Sequence, residues 1–143
     1  MNYKKILIAV DSSAYSLAAA KKGIALANQL NAKSALLFVI DKARTIHSAD
    51  AGIFPDEAIV VLKKEAEQTL DQLATMYHAN DLVKFMPEGS PKEDIIKTAE
   101  NWGADLIVMG THGRTGLLHF LTGSVAEHVL RHSKIPVMIV PAK

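Results

Sequence analysis

The chain has no cysteine among its 143 residues. Disulfide bonds, thiolate metal sites and catalysis by a thiol are therefore excluded. A surplus of one charge is also lacking, because 16 Lys and Arg nearly balance 15 Asp and Glu and leave a formal net charge of +1 at pH 7. So weak a field argues against a protein that coats nucleic acid or adheres to a membrane surface.

The sequence also lacks a long uninterrupted apolar run. The first run, Ile6 to Val10, stops at Asp11 and is too short for the core of a signal peptide or for a membrane span. We therefore expect a cytoplasmic protein without membrane insertion, and a β-strand at this first run. The length and the 49% apolar content fit one globular domain with a sizeable core.

Short apolar runs alternate with helical patterns along the whole chain, which predicts right-handed crossovers and a mainly parallel sheet with helices on both faces. Apolar residues throughout a run such as Ile6 to Val10 are typical of a strand buried on both sides. The predicted strands are Ile6 to Val10, Ala35 to Ile40, Leu82 to Met86, Leu106 to Met109 and Pro136 to Val140. The predicted helices are Ala14 to Leu30, Pro55 to near Asn80, a segment from Pro91 to Gly103, and Ser124 to Arg131.

Capping residues support these helix boundaries. Ser12 or Ser13 is expected to cap the first helix. Ser90 to Glu93 and Ser124 to Glu127 both match the capping box, in which a serine and a glutamate three residues later satisfy the first backbone N–H groups. Gly103 is expected to end the third helix in a left-handed conformation.

The order of the strands decides where a ligand binds, because ligands of open α/β sheets bind beyond the carboxyl ends of the strands, where the order reverses. Lys84 lies inside the third predicted strand and indicates an edge position. Asp11 ends the first strand, and a glycine-rich loop follows the fourth. These observations favour the order 3-2-1-4-5 over 2-1-3-4-5, with Asp11 and Gly110 on opposite sides of one crevice.

The glycine-rich loop is the most informative feature of the sequence. Gly110, Gly113, Gly123 and Ser124 form the pattern G-x2-G-x9-G-S between the fourth strand and the fourth helix. Glycines let backbone N–H groups approach an anion, and the start of a helix adds the positive end of its dipole. The pattern predicts a phosphate cradle, and the alternative interpretation is a flexible connector.

With these motifs the chain resembles the universal stress protein family, in its ATP-binding branch. The resemblance covers nearly the whole chain and includes the complete G-x2-G-x9-G-[S/T] signature of that branch. The segments that carry it are Lys5 to Ser13, Phe38 to Asp41, Gly89 to Pro91, Ala104 to Gly113, Gly123 to Val125 and Ile135 to Val137.

The resemblance implies one universal stress protein domain over residues 1–143, with an adenine nucleotide alpha-hydrolase-like fold. It implies ATP as the ligand, with ADP or AMP as alternatives, accompanied by Mg²⁺ or Mn²⁺. Gly110, Gly113, Gly123 and Ser124 would hold the phosphates and ribose, with Arg114 or His112 adding charge. The adenosine part would lie against Asp11, Val39, Met109 and Val125. A homodimer through strand 136–141 and an unidentified protein partner complete the expectation.

Several kinds of chemistry are disfavoured by the residues themselves. The glycine loop lacks the Gly-Lys-Ser/Thr of a Walker A motif. Strand one is followed by neither a Ser-Gly-Gly-type loop nor a His-x-Gly-His pair, and no array of general base and nucleophile is evident. We therefore expect a nucleotide-dependent stress-response regulator with little or slow ATP hydrolysis, and no catalytic residue is assigned.

Two other functions remain open. A dimerisation or interaction module of the same fold would not depend on nucleotide, and strand 136–141 is apolar enough to pair with a second copy. A phosphoacceptor receiver domain is a remote alternative suggested by Asp11, but strand three ends in Met86-Pro87-Glu88 without the second aspartate that it needs.

Two local features add further expectations. His128 and His132 have the i, i+4 spacing of a zinc-binding pair but lack the glutamate of H-E-x-x-H, so we expect surface residues near a helix end. The connection from Asp41 to Phe54 is long for this fold class and contains Gly52, which makes it a candidate lid or a mobile segment.

Overall fold

A parallel sheet of five strands forms the centre of the fold. The computed structural model describes residues 2–45, 52, 54–79, 81–111 and 124–141. Its strands are β1 (Lys5–Ala9), β2 (Lys33–Leu37), β3 (Ile40–Asp41), β4 (Val83–Phe85), β5 (Glu88–Gly89), β6 (Leu106–Gly110) and β7 (Val137–Val140), and its helices are α1 (Tyr15–Leu30), α2 (Pro55–Met76), α3 (Pro91–Trp102) and α4 (Ser124–His132).

The main sheet has the order β4-β2-β1-β6-β7, and all its pairings are parallel. In terms of the five strands expected from the sequence this is 3-2-1-4-5, so the predicted fold class and order are confirmed. β3 and β5 form a separate two-stranded parallel sheet that the apolar pattern did not predict. The order reverses between β1 and β6, where a ligand crevice is expected.

The central strand separates two hydrophobic cores, because its side chains alternate between the faces of the sheet. Ile6 and Ile8 pack with apolar residues of α1 and α2 on one face. Leu7 and Ala9 pack with residues of α3 and α4 on the other. Ile6, Leu7 and Ile8 are completely buried. Apolar residues at successive positions therefore indicate here a strand that is covered on both sides, as predicted.

The two edges of the main sheet agree with the sequence interpretation. β4 pairs only with β2 in the described part of the chain, and its Lys84 Nζ lies 2.8 Å from Asp71 Oδ1 of α2. The lysine thus occupies an edge position where its amine reaches solvent. β7 forms the opposite edge beside β6.

Three expected boundaries are wrong. The second predicted strand, Ala35 to Ile40, is divided into β2 and β3 because the backbone changes partner after Leu37. α2 ends at Met76 and not near Asn80, since His78 adopts a left-handed φ of 52°. Ala14, and neither Ser12 nor Ser13, occupies the N-cap position of α1, without a side-chain cap bond.

The start of α3 shows which part of the capping-box prediction holds. Ser90 occupies the N-cap position with Pro91 directly after it, as expected. The carboxylate that accepts the Ser90 backbone N–H, however, is Asp94 Oδ2 at 2.8 Å, and the Ser90 side chain makes no cap bond. Asp94 therefore accepts the N-cap backbone N–H, the role that the capping box predicted for Glu93. At the other end, Gly103 ends the helix with φ 79°, as predicted.

Gly23 of α1 provides a test of how closely this helix lies on the sheet. A Cβ atom at this position would lie 2.6 Å from Ile8 Cγ1, and Ile8 is completely buried. Although Ala is normally favoured over Gly inside a helix, we expect Gly23→Ala to lower the free energy of unfolding by about 1–3 kcal/mol through overpacking.

Urea denaturation measures this change. Ala25→Gly, at an exposed position of the same helix, is the control, and it reports the helix propensity term alone at about 1 kcal/mol. A Gly23→Ala variant that is more stable than the unsubstituted protein would contradict the close contact.

Candidate nucleotide-binding site

The carboxyl ends of β1 and β6 bring three predicted site residues to the same end of the sheet. Ala9 is the register partner of Met109, and the neighbouring strand continues to Gly110. Asp11 follows the end of β1 by two residues. Asp11, Met109 and Gly110 therefore lie where the strand order reverses, as the sequence predicted.

The apolar site residues share one face of the sheet. Val39, two residues beyond the end of β2, and Met109 belong to the core that packs under α3 and α4, and Val125 of α4 is half-buried against the same core. Val39 is 8% exposed and Met109 is 5% exposed. Because so little of either side chain reaches solvent, a ligand can contact only a small part of each. Both side chains serve mainly to fill the core.

Asp11 is held by the turn that leads into α1. Its Oδ1 accepts hydrogen bonds from the Ser13 backbone N–H at 2.8 Å, from the Ser13 hydroxyl, and from the Ser16 hydroxyl at 2.9 Å. Its own backbone N–H donates to Ser16 Oγ at 2.7 Å. Asp11 is half-buried, and its carboxylate is held in place by these hydrogen bonds. Sequence reasoning singled out Asp11 but missed the two serines as its partners.

The small β3–β5 sheet lies beyond the carboxyl ends of β2 and β4. Hydrogen bonds run from Phe38 N to Phe85 O at 2.9 Å, from Ile40 N to Pro87 O at 2.8 Å and from Lys42 N to Gly89 O at 3.0 Å. The segments that follow β2 and β4 therefore stay hydrogen-bonded to each other through β3 and β5. Together they form a wall beside Val39.

Two ion pairs attach this wall to α2. Lys63 Nζ lies 3.0 Å from Glu88 Oε2, and Arg44 Nη2 lies 3.4 Å from Glu65 Oε2. Both pairs are partly exposed, so each contributes little to stability. Their consequence is positional, because they hold β5, through Glu88, and the start of the 41–54 connection, through Arg44, against one helix.

The phosphate part of the predicted site is only partly within the described structure. α4 begins at Ser124, where the helix was predicted to start, and α4 joins the carboxyl end of β6 to the start of β7. Val125 and Ala126 of its first turn belong to the same core as Ala9 and Met109, so α4 starts towards the end of the sheet where β1 and β6 terminate. Gly113, Arg114 and Gly123, with His112, lie outside the described residues, as do 46–51 and 53 of the candidate lid.

The predicted histidine pair is formed on α4. The rings of His128 and His132 lie with their centroids 4.4 Å apart and inclined by 40°. Within the described ranges, no group of three or more His, Asp or Glu residues is arranged to hold a metal ion. The pair lies near the end of α4, where imidazoles face the negative end of the helix dipole.

A surface depression lies at the opposite end of the sheet, where the strands begin. It has a volume of about 610 Å³ and is lined by residues around the starts of β1 and β2, including Lys4, Lys5 and Lys33. Ligands of open α/β sheets bind at the carboxyl ends of the strands, so this depression is not the expected crevice. In the described part of the chain, no helix is both long and apolar enough to cross a bilayer.

Comparison with known proteins agrees with this fold. The chain is 37% identical to universal stress protein MJ0531 of Methanocaldococcus jannaschii over 96% of its own length and 82% of that protein. The solved structure of MJ0577 from the same organism superposes with a TM-score of 0.86 at 32% identity, and the match covers 100% of this chain and 99% of that one.

A second solved structure, of a universal stress protein in complex with cAMP, gives a TM-score of 0.70 at 26% identity and covers 100% of both chains. The model of the universal stress protein family matches residues 2–141, almost the whole sequence. The chain belongs to the universal stress protein family.

Proposed function

We propose that this protein binds an adenine nucleotide, with ATP as the principal ligand, at the carboxyl edge of the sheet between β1 and β6. The observation that carries the proposal is the pairing of β1 with β6 where the strand order reverses, since it brings Asp11 and Gly110 to the same end of the sheet. The first turn of α4 packs in the same core as the ends of these two strands. The complete G-x2-G-x9-G-S pattern occupies the connection between β6 and α4.

The described residues fit such a ligand in their chemistry. Asp11 supplies a carboxylate that accepts hydrogen bonds from a sugar hydroxyl or an amino group, and Val39 and Met109 supply apolar edges for a base. The N-terminus of α4 supplies backbone N–H groups and a positive dipole end for phosphate. The family relative that binds cAMP supports an adenine nucleotide as the class of ligand.

Bound nucleotide would act as a signal in this proposal and would be turned over slowly if at all. The sequence has no Gly-Lys-Ser/Thr to bridge the β- and γ-phosphates. Mg²⁺ or Mn²⁺ would be held chiefly by phosphate oxygens and water, as is usual for Mg²⁺ on nucleotides. The protein would then report nucleotide state to a partner during the stress response, in the cytoplasm.

We also propose a homodimer through residues 136–141. Pro136 O accepts the Ile107 N–H at 2.9 Å, so the alternation of a parallel ladder turns the backbone of Met138 towards β6 and that of Val137 and Ile139 outwards. Among the described residues, β7 is thus an apolar edge whose outward backbone groups have no strand beside them. Pairing with the same edge of a second copy would satisfy them under a two-fold axis.

The nucleotide proposal is tested by titrating ATP with Mg²⁺ into the purified protein by calorimetry. We expect saturable binding near one ATP per chain, and a rise in Kd of about a hundredfold or more for Gly113→Val, because a side chain would occupy the space needed by phosphate. Gly116→Val makes the same substitution in the same connection but outside the motif positions, so it should retain binding.

Absence of saturable binding by the unsubstituted protein would contradict the nucleotide function. Unchanged affinity of the Gly113→Val variant would contradict the placement of the phosphates while leaving nucleotide binding intact.

The dimer proposal is tested by light scattering. We expect twice the 15.5 kDa chain mass for the unsubstituted protein. Ile139→Pro should shift the mass towards the monomer, because it removes an outward N–H without removing a hydrogen bond to β6. Ile139→Ala shortens the same side chain but keeps the N–H, and it should remain dimeric. A monomer mass at all concentrations of the unsubstituted protein would overturn the proposal.

A further inference from the structure

Ser16 is a buried polar residue in the first turn of α1. It is 7% exposed, and among the described residues it is the one polar or charged residue that is buried. Its hydroxyl oxygen accepts the Asp11 backbone N–H at 2.7 Å and donates its proton to Asp11 Oδ1 at 2.9 Å. A buried hydroxyl needs partners, and both of these partners belong to Asp11, one residue of the candidate site.

The two oxygens of the Asp11 carboxylate have different surroundings. Oδ1 accepts three hydrogen bonds, two from Ser13 and one from Ser16, which fills its acceptor capacity. Oδ2 makes no hydrogen bond with the part of the chain that the structure describes. The serines therefore fix the carboxylate through one oxygen and leave the other as an available acceptor.

We infer that Ser16 is a positioning residue of the nucleotide site, which acts on the ligand through Asp11. By fixing Oδ1 from the interior, it holds Oδ2 ready to accept a hydrogen bond from a nucleoside hydroxyl or amino group. This inference rests on the proposed nucleotide function. An acceptor-only oxygen with a negative charge repels phosphate, so the nucleoside and not the phosphate chain meets Asp11.

Ser16 and Ser13 both hold the Asp11 carboxylate, but they belong to different elements of the fold. Ser13 lies in the turn between β1 and α1, close in sequence to Asp11. Ser16 belongs to α1, which packs on the sheet through Ala19, Ala20 and Ile24. The orientation of Asp11 is thus coupled to the packing of the helix, and not only to a local turn.

The test compares ATP affinity among serine variants. Ser16→Ala should raise the Kd for ATP about tenfold, since a charge-assisted hydrogen bond that orients the carboxylate is lost. Ser16→Thr keeps the hydroxyl and should keep the Kd within about threefold of the unsubstituted value. An unchanged Kd in Ser16→Ala would overturn the inference.

Ser133→Ala is the matched control. The Ser133 hydroxyl donates to Ile135 O at 2.7 Å and accepts the Ile135 N–H at 3.0 Å, so it also makes two hydrogen bonds, but it lies after α4 at the other end of the sheet. Its loss should lower stability without altering the Kd. An equal rise in Kd for both variants would mean that reduced stability, and not positioning, weakens binding.

A double-mutant comparison shows whether Ser16 acts through Asp11. In an Asp11→Ala background, Ser16→Ala should cause no further rise in Kd. A full additional tenfold rise would overturn the coupling.

A crystal structure of ligand-free Ser16→Ala tests the positioning without any nucleotide, and the Asp11 carboxylate should leave its position. An unmoved carboxylate would refute the inference, whereas absence of ATP binding by the unsubstituted protein would refute the proposed function instead.

Discussion

The parallel ladder on both sides of β1 is the constraint on which the rest of the structure depends. β1 is paired in register with β2 from Lys5 to Ala9 and with β6 from Ile6 to Ala9. Its middle residues are fully buried, so neither pairing can slip without moving apolar side chains to the wrong face. The carboxyl ends of the three strands must then lie side by side at one end of the sheet. Asp11, Val39 and Gly110 are brought to the same place because each lies at or just after one of these ends.

The main architecture could be predicted because it depends on patterns that the sequence carries locally. Continuous apolar runs marked the buried strands, and Lys84 marked an edge. β3 and β5 could not be predicted, because two-residue strands have no period and depend on distant pairings such as Ile40 N to Pro87 O. The end of α2 was missed for a similar reason, since His78 enters the left-handed region without the glycine that usually signals it.

The candidate site was predictable to a lesser degree. Asp11 was recognisable because it ends an apolar strand beside the expected switch point. Ser16 was not, because a serine inside an Ala-rich helical pattern gives no sign that its hydroxyl turns back to the residue before the helix. The carboxylate that caps α3 shows the same limit, since Glu93 fitted the motif but Asp94 reaches the Ser90 N–H. The roles of the loop glycines remain predictions from their spacing.

We propose an adenine nucleotide site between the carboxyl ends of β1 and β6, and identifying what the purified protein carries tests this directly. The purified protein is denatured and the released small molecules are identified and counted by mass spectrometry. We expect ATP or ADP at near one per chain. A protein that releases no nucleotide and also fails to take up added ATP with magnesium would contradict it, and the glycine motif would then be a connector in a dimerisation module.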